Sequence, residues 1–302
     1  MWRPPDQLRR AGDTPTSGSC PGRWRRWCTP PSQSGALSSA CCTACCRQAA
    51  ASCRCLQEER VAALQRRARV TFDDELPQHQ AALRELWGAA FPGAPFPPGV
   101  RHEQWKQLGF QSDVPARDLS RGAGMLTLEC LVWMAQERPA TFHALSRKTA
   151  GVRAEWEYPF AAGGANVAFM LAELLGLRGG VGAVSASSPA GPAASPAARG
   201  FLPLLDPLLP GSGEGRSVGC VAVGGGGAAC DGGGSGGDSC RQFEELFELT
   251  FRLLDQVWLE RKAGYMQFPA VMSEVRERVE RALASGRAAS VADMEQMLLP
   301  AA

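Results

Sequence analysis

The sequence WKQLGFQ, Trp105 to Gln111, leads through Pro115 into DLSRGAG, Asp118 to Gly124, and this stretch decides more about the fold than any other. It places Arg121 in a glycine-flanked turn. The residues that follow are almost all apolar, which predicts a buried helix over about ten residues. A guanidinium held in front of such a helix can reach an anionic group of a partner, so Arg121 is the first candidate functional residue.

This arrangement resembles the signature of the ELMO domain, where a tryptophan, a GFQ triplet, a proline and an arginine before G-x-G occur in the same order. Five further blocks of the chain are similar to sequences of that family, and their form is plant-like. These blocks are VTFD at 70–73, QHQAALRELW at 78–87, WEYPFA at 156–161, NVAFML at 166–171 and WLERKAGYMQF at 258–268. The resemblance implies an all-α, multi-helix ELMO-type domain.

The spacing of apolar residues also predicts helices and no useful run of strand-like alternation. Pro139 should end the helix that follows the signature, and a short helix should come next. The Gly163-Gly164 pair should break the chain, with Asn166 as the N-cap of the next helix. Two more helices are expected from 243 to 258 and from 268 to 283, and they must pack against the earlier helices.

Composition divides the chain into five parts. Runs of Gly, Ala, Ser and Pro bury too little apolar surface to offset the entropy of ordering, so they predict disorder. FLPLL at 201–205, which lies within the run at 178–240, is an exception and can occupy the place of a family helix. The expected parts are a disordered Cys/Arg/Ser-rich tail at 1–55, the first part of the domain at 56–177, a low-complexity insert at 178–240, the C-terminal helices at 241–285 and a tail at 286–302.

The N-terminal tail permits three interpretations, namely a disordered tail, an organellar transit segment and a membrane-tethering segment. Eight of the twelve cysteines lie between Cys20 and Cys55, which leaves a reduced, intracellular domain as the expectation for the rest. A CCTACC run within the tail can accept acyl groups, ligate zinc or remain unstructured. Its candidate acylation sites are Cys41, Cys42, Cys45 and Cys46. A cytoplasmic location is expected, and attachment to endomembranes through this tail is the alternative.

Several classes of function are not expected. The formal net charge of +2 and the absence of a basic stripe with interleaved aromatics argue against nucleic acid as a partner. The Gly-rich runs after residue 223 contain no phosphate-binding P-loop pattern. The three histidines are too scattered for a metal site, and neither a metal nor a cofactor is expected.

The family resemblance implies a function for Arg121. It would be the residue that activates a small GTPase of the Arf family by acting in trans, in vesicle traffic or cytoskeletal regulation. An arginine suits this role because its planar fork stays charged and contacts two oxygens at once. Asp118, Gly122 and Gly124 would support the turn. Such a protein is an activator rather than an enzyme with a substrate pocket of its own.

The chain departs from the family signature at this turn. The family arginine follows its proline by five residues, whereas Arg121 follows Pro115 by six because Ser120 is interposed, and Arg117 replaces a threonine. An extra residue re-aims the side chain that follows it. A non-catalytic ELMO interaction module or scaffold in small-GTPase regulation is therefore the alternative function.

Overall fold

The computed structural model describes residues 57–147, 151–178, 195–205 and 241–300, and every regular element in these ranges is helical. This confirms the all-α fold. The helices are α1 over 57–68, α2 Pro77–Ala90, α3 Ala116–Arg121, α4 Met125–Glu137, α5 Pro139–Ser146, α6 Val152–Glu155, α7 Phe160–Leu174, α8 Pro196–Phe201, α9 Arg241–Glu260, α10 Phe268–Ala284 and α11 Val291–Leu298. Short 3-10 helices cover Glu103–Leu108, Leu202–Leu205 and Tyr265–Gln267.

Helix α4 lies at the centre of the fold. It contacts α2, α5, α7 and α9, which leaves little of its surface for solvent. A helix that is apolar nearly all round has to be buried on most sides, as the sequence predicted for this segment. Its buried residues are Met125, Leu126, Thr127, Leu128, Cys130, Leu131, Val132, Met134 and Ala135. Pro139 does begin a separate short helix, α5.

Helix α7 corrects one prediction. It runs unbroken through Gly163 and Gly164, and Asn166 lies in its interior, where the side-chain amide donates to the carbonyl of Ala162 at 2.7 Å. A Cβ on Gly164 would lie 3.0 Å from Leu131 Cδ2. The two glycines therefore serve close helix packing, and the packing compensates for their low helix propensity.

The C-terminal helices pack against the first part of the domain, as predicted. The ring of Phe251 on α9 stacks on Phe160 of α7 with centroids 5.1 Å apart. The indole N–H of Trp258 donates to the carbonyl of Trp156 at 2.8 Å. Loop closure grows only slowly with length, so a long intervening segment is compatible with this packing.

Two stretches outside the expected domain boundaries are also helical. Residues 195–205, which fall in the predicted insert, form α8 and a 3-10 turn, and α8 packs against α10. The predicted tail at 286–302 contains α11, which buries Met294 and Leu298. FLPLL at 201–205, expected as an exception within the insert, is helical, whereas composition missed the start of α8 and all of α11. These segments are short, and they gain stability from contact with α10 and, for α11, also with α9.

The signature aromatics are core residues. Trp105 is fully buried, with its indole N–H donating to the carbonyl of Val100 at 2.9 Å, and its ring packs edge-on against Phe110 and Trp87. Aromatic pairs in this geometry stabilise a core beyond the area they bury. The WKQLGFQ segment is thus anchored, and it brings Gln111 to the surface beside α3.

Candidate functional site

Arg121 is the last residue of α3, which begins directly after Pro115. The sequence predicted a turn at this position, whereas the structure makes the residue helical and starts the turn at Gly122. The turn spans only three residues before α4 begins at Met125. Arg121 therefore leaves from the end of a short helix whose position is fixed by its neighbours.

The side chain of Arg121 is exposed. Its Nη1 lies 3.5 Å from Oε1 of Gln111, a distance at which a hydrogen bond contributes little. Within the described part of the chain, no carboxylate lies within ion-pair distance of this guanidinium. Most of its hydrogen-bonding capacity therefore remains available to a partner.

Asp118 supports the site through Gln111. The residue is only 5% exposed, and its carboxylate accepts the backbone N–H of Gln111 at 2.7 Å. The sequence analysis expected Asp118 to support the turn, and in the structure this bond ties the signature loop to α3. Burial raises the pKa of Asp118, while the Gln111 N–H and the charge of Arg121 act in the opposite direction.

The two glycines of the turn are required by other parts of the fold. A Cβ on Gly124, whose φ is +61°, would lie 2.4 Å from the carbonyl oxygen of Val70. A Cβ on Gly122 would lie 3.1 Å from Cβ of Ala165 on α7. The backbone between α3 and α4 is therefore pressed against two separate segments, which fixes where α3 ends.

Sequence reasoning missed one residue at this site. Arg178 donates from Nη1 to the carbonyl oxygen of Gly122 at 2.6 Å, and its guanidinium lies 4.9 Å from the ring centroid of Phe169. The residue was assigned to the predicted insert, where composition gave no reason to expect a contact. The position of the C-terminal end of α7 places Arg178 beside the turn between α3 and α4.

Other predicted sites are not part of this arrangement. Cys41, Cys42, Cys45 and Cys46 lie outside the described residues. Over the described ranges, no group of three or more potential metal-ligating side chains comes together. No described helix is both long and apolar enough to span a bilayer.

The fold and the site together define an all-α domain that presents an exposed arginine at the end of a short helix. The ELMO/CED-12 family matches residues 62–209, a range that includes α3, α4, α7 and α8, and the chain belongs to this family. ELMO domain-containing protein A of Dictyostelium discoideum is 28% identical over 229 residues, covering 76% of this chain and 21% of that protein.

Two further relatives place the similarity in animals. Engulfment and cell motility protein 3 of Homo sapiens is 25% identical over 240 residues, covering 76% of this chain and 27% of that protein. ELMO domain-containing protein 1 of Bos taurus is 30% identical over 132 residues, covering 38% of this chain and 39% of that protein. The chain thus spans between about a fifth and two fifths of the length of these relatives.

Proposed function

We propose that this protein is a GTPase-activating protein for Arf-family small GTPases, with Arg121 as the arginine supplied in trans. The observation that carries the proposal is the state of that side chain. Arg121 is exposed, it has one long hydrogen bond to Gln111, and its backbone is fixed by a buried turn. Membership of the ELMO/CED-12 family supports a role in small-GTPase regulation.

The chemistry requires little else from the activator. Negative charge develops on the transferred phosphoryl group and the leaving phosphate, and an arginine placed there raises the rate by roughly 10³ to 10⁵. The GTPase supplies the nucleotide, the magnesium ion and the attacking water. The activator must supply a guanidinium on a rigid base, because the donor geometry has to be in place before the reaction.

A single-turnover GTP hydrolysis assay with a panel of Arf and Arf-like proteins tests the proposal. Wild type should accelerate hydrolysis by at least one member of the panel. Arg121→Ala should remove about a thousandfold or more of a full activation. Arg121→Lys should stay well below wild type, because an ammonium group lacks the planar fork.

Arg117→Ala is the matched control, since Arg117 is exposed on the same helix. It should leave the activation unchanged. This result would distinguish a specific effect of the Arg121 guanidinium from an effect of the overall positive charge of α3. An Arg121→Ala protein as active as wild type would show that the finger assignment is wrong. Affinity for the GTPase should be measured for each variant, because a binding defect alone would mimic a catalytic one at low concentration.

A specific observation favours the second candidate, a non-catalytic interaction module. Ser120 is part of α3, and each helical residue advances by about 100° around the axis. The interposed residue therefore turns Arg121 to a different face of the helix from the one it would occupy without Ser120. If wild type binds a GTPase of the panel without accelerating hydrolysis, the interaction module is the correct interpretation. In that case Arg121→Ala should weaken binding only.

A further inference from the structure

Arg178 connects the end of α7 to the turn that follows Arg121. Its Nη1 donates to the carbonyl of Gly122 at 2.6 Å, across 56 residues of sequence. Gly122 is the C-cap of α3, so this carbonyl belongs to the residue next to Arg121. A charge-assisted hydrogen bond of this kind is stronger than a neutral one, and it restrains the peptide that it contacts.

The backbone that carries Arg178 is fixed by hydrogen bonds at the end of α7. Helix α7 ends in a Schellman motif, in which the N–H of Gly176 donates to the carbonyl of Glu173 at 3.0 Å and that of Leu177 donates to Ala172 at 2.8 Å. Gly176 has the positive φ of +68° that this motif requires, and Leu177 is 1% exposed. Arg178 therefore follows directly from a fixed backbone.

The ring of Phe169 restricts the side chain further. The guanidinium of Arg178 lies 4.9 Å from the ring centroid, within the range of a cation–π contact. Phe169 is half-buried on α7, which is itself a core helix. Backbone, ring and carbonyl acceptor together leave Arg178 one well-defined position at an otherwise exposed site.

We propose that Arg178 is a positioning residue for Arg121. By holding the Gly122 carbonyl it sets the direction in which α3 ends and in which the Arg121 guanidinium leaves the domain. This inference rests on the proposed function of Arg121. It assigns Arg178 no contact with the nucleotide, so its effect has to travel through the peptide at Gly122.

Kinetics on the full chain test the proposal with four variants, Arg178→Ala, Arg178→Lys, Phe169→Leu and Arg117→Ala, and the GTPase that wild type activates. Arg178→Ala should lower kcat of activation by about tenfold to a hundredfold, because small misplacements of a catalytic group cost rates of this order. KM for the GTPase should change by less than about twofold. Phe169→Leu, which keeps the charge of Arg178 and removes the ring, should lower kcat to an intermediate value. Arg117→Ala is the matched control and should behave as wild type.

The result that overturns the proposal is a wild-type kcat in Phe169→Leu and Arg178→Lys together with a large loss in Arg178→Ala. That pattern would mean that the positive charge itself contacts the partner. Circular dichroism and thermal unfolding of each variant should be compared with wild type. If Arg178→Ala is unfolded, Arg178→Lys takes its place, and its kcat should fall below wild type while KM for the GTPase stays within about twofold of wild type.

Amide hydrogen exchange separates this inference from the proposed function. In Arg178→Ala, exchange of the backbone amides at 122–125 should accelerate, while the amides of α9 should keep their wild-type rates. If exchange at 122–125 is unchanged, the positioning role is wrong even where Arg121 proves catalytic. If exchange accelerates but wild type activates no GTPase of the panel, Arg178 holds the turn and the proposed function fails.

Discussion

The turn between α3 and α4 and the turn between α9 and α10 both belong to stretches that resemble ELMO motifs, yet they treat their side chains in opposite ways. The first buries Ala123, and Arg121, which directly precedes the turn, is exposed. The second exposes two large apolar side chains, with Tyr265 75% and Met266 87% exposed, while Ala263 beside them is buried. Membership of a motif therefore does not indicate whether a residue belongs to the core or to the surface.

The difference lies in what each turn packs against. The α3–α4 turn is pressed against the segment at Val70 and against α7 at Ala165, so its backbone carries the contacts. The α9–α10 turn is closed by itself, because the Gln267 side chain accepts the N–H of Gly264 across one 3-10 turn. A locally closed turn needs no support from Tyr265 or Met266, and it leaves both exposed to solvent.

The largest expected effect is at Gly124. Gly124→Ala adds a Cβ at φ +61° and 2.4 Å from the Val70 carbonyl, so we expect the free energy of unfolding to fall by about 3 to 5 kcal/mol. Gly88→Ala is the matched control, since Gly88 is an exposed residue of α2 and a Cβ there would meet no atom within 4 Å. At that position alanine should stabilise by about 0.5 to 1 kcal/mol. Urea denaturation of both variants measures the contrast, and a loss below about 1 kcal/mol at Gly124 would contradict the close approach at this turn.

Asp118 should have a smaller effect on stability. Asp118→Ala removes the carboxylate that accepts the Gln111 N–H, and a hydrogen bond to a charged group contributes about 1.5 to 3 kcal/mol. Urea denaturation at neutral pH measures the loss. Asp118→Asn keeps an oxygen that can accept this bond, so it should recover part of the stability. Equal stability of the alanine and asparagine variants would mean that the bond contributes little.

The pH dependence of stability distinguishes Asp118 from Asp113. Burial raises the pKa of Asp118 in the folded state, so its contribution is fully present below the unfolded pKa of about 3.9 and is lost as the pH rises through the folded value. Arg101 lowers the pKa of Asp113, so that contribution is present above the unfolded pKa and lost as the pH falls. The difference in free energy of unfolding between wild type and Asp118→Asn should therefore fall as the pH rises above about 3.9, whereas the difference between wild type and Asp113→Asn should fall as the pH drops below about 3.9. Slopes of the same sign would refute the assignment of Asp118 as the buried carboxylate.

The smallest expected effect is at the α9–α10 turn. The double variant Tyr265→Ser with Met266→Ser should change the free energy of unfolding by less than about 0.5 kcal/mol, because both side chains are mostly exposed. Thermal and urea unfolding of the double variant measure this directly. A loss above about 2 kcal/mol would show that these side chains pack against the domain, and the contrast between the two turns would then disappear.

Sequence patterns predicted the long elements well. The apolar run after the signature predicted α4, and apolar residues spaced three and four apart predicted α9 and α10. Trp105 and Phe110 are also buried, as is common for large aromatic residues. These predictions succeed because a long amphipathic or apolar helix has few alternative ways to remove its surface from water.

Predictions failed where local propensity and tertiary packing disagree. Gly163 and Gly164 predicted a helix break, but close packing against α4 and α9 keeps α7 continuous. The short elements α8 and α11 have too few residues to be stable alone, so their sequences carry little signal. Their order comes from neighbours that are distant in sequence.

The sequence by itself determined that this chain is an all-α ELMO domain and that Arg121 is the candidate residue, because helix periodicity and an ordered set of motifs are properties of the chain alone. The tertiary structure alone decided how Arg121 is presented. Asp118, Gly122, Gly124 and Arg178 meet at one short turn only after α3, α4 and α7 have packed. The hydrogen bond from Arg178 to Gly122 joins residues 56 positions apart, so it depends on how the helices pack and cannot be predicted from a local sequence pattern.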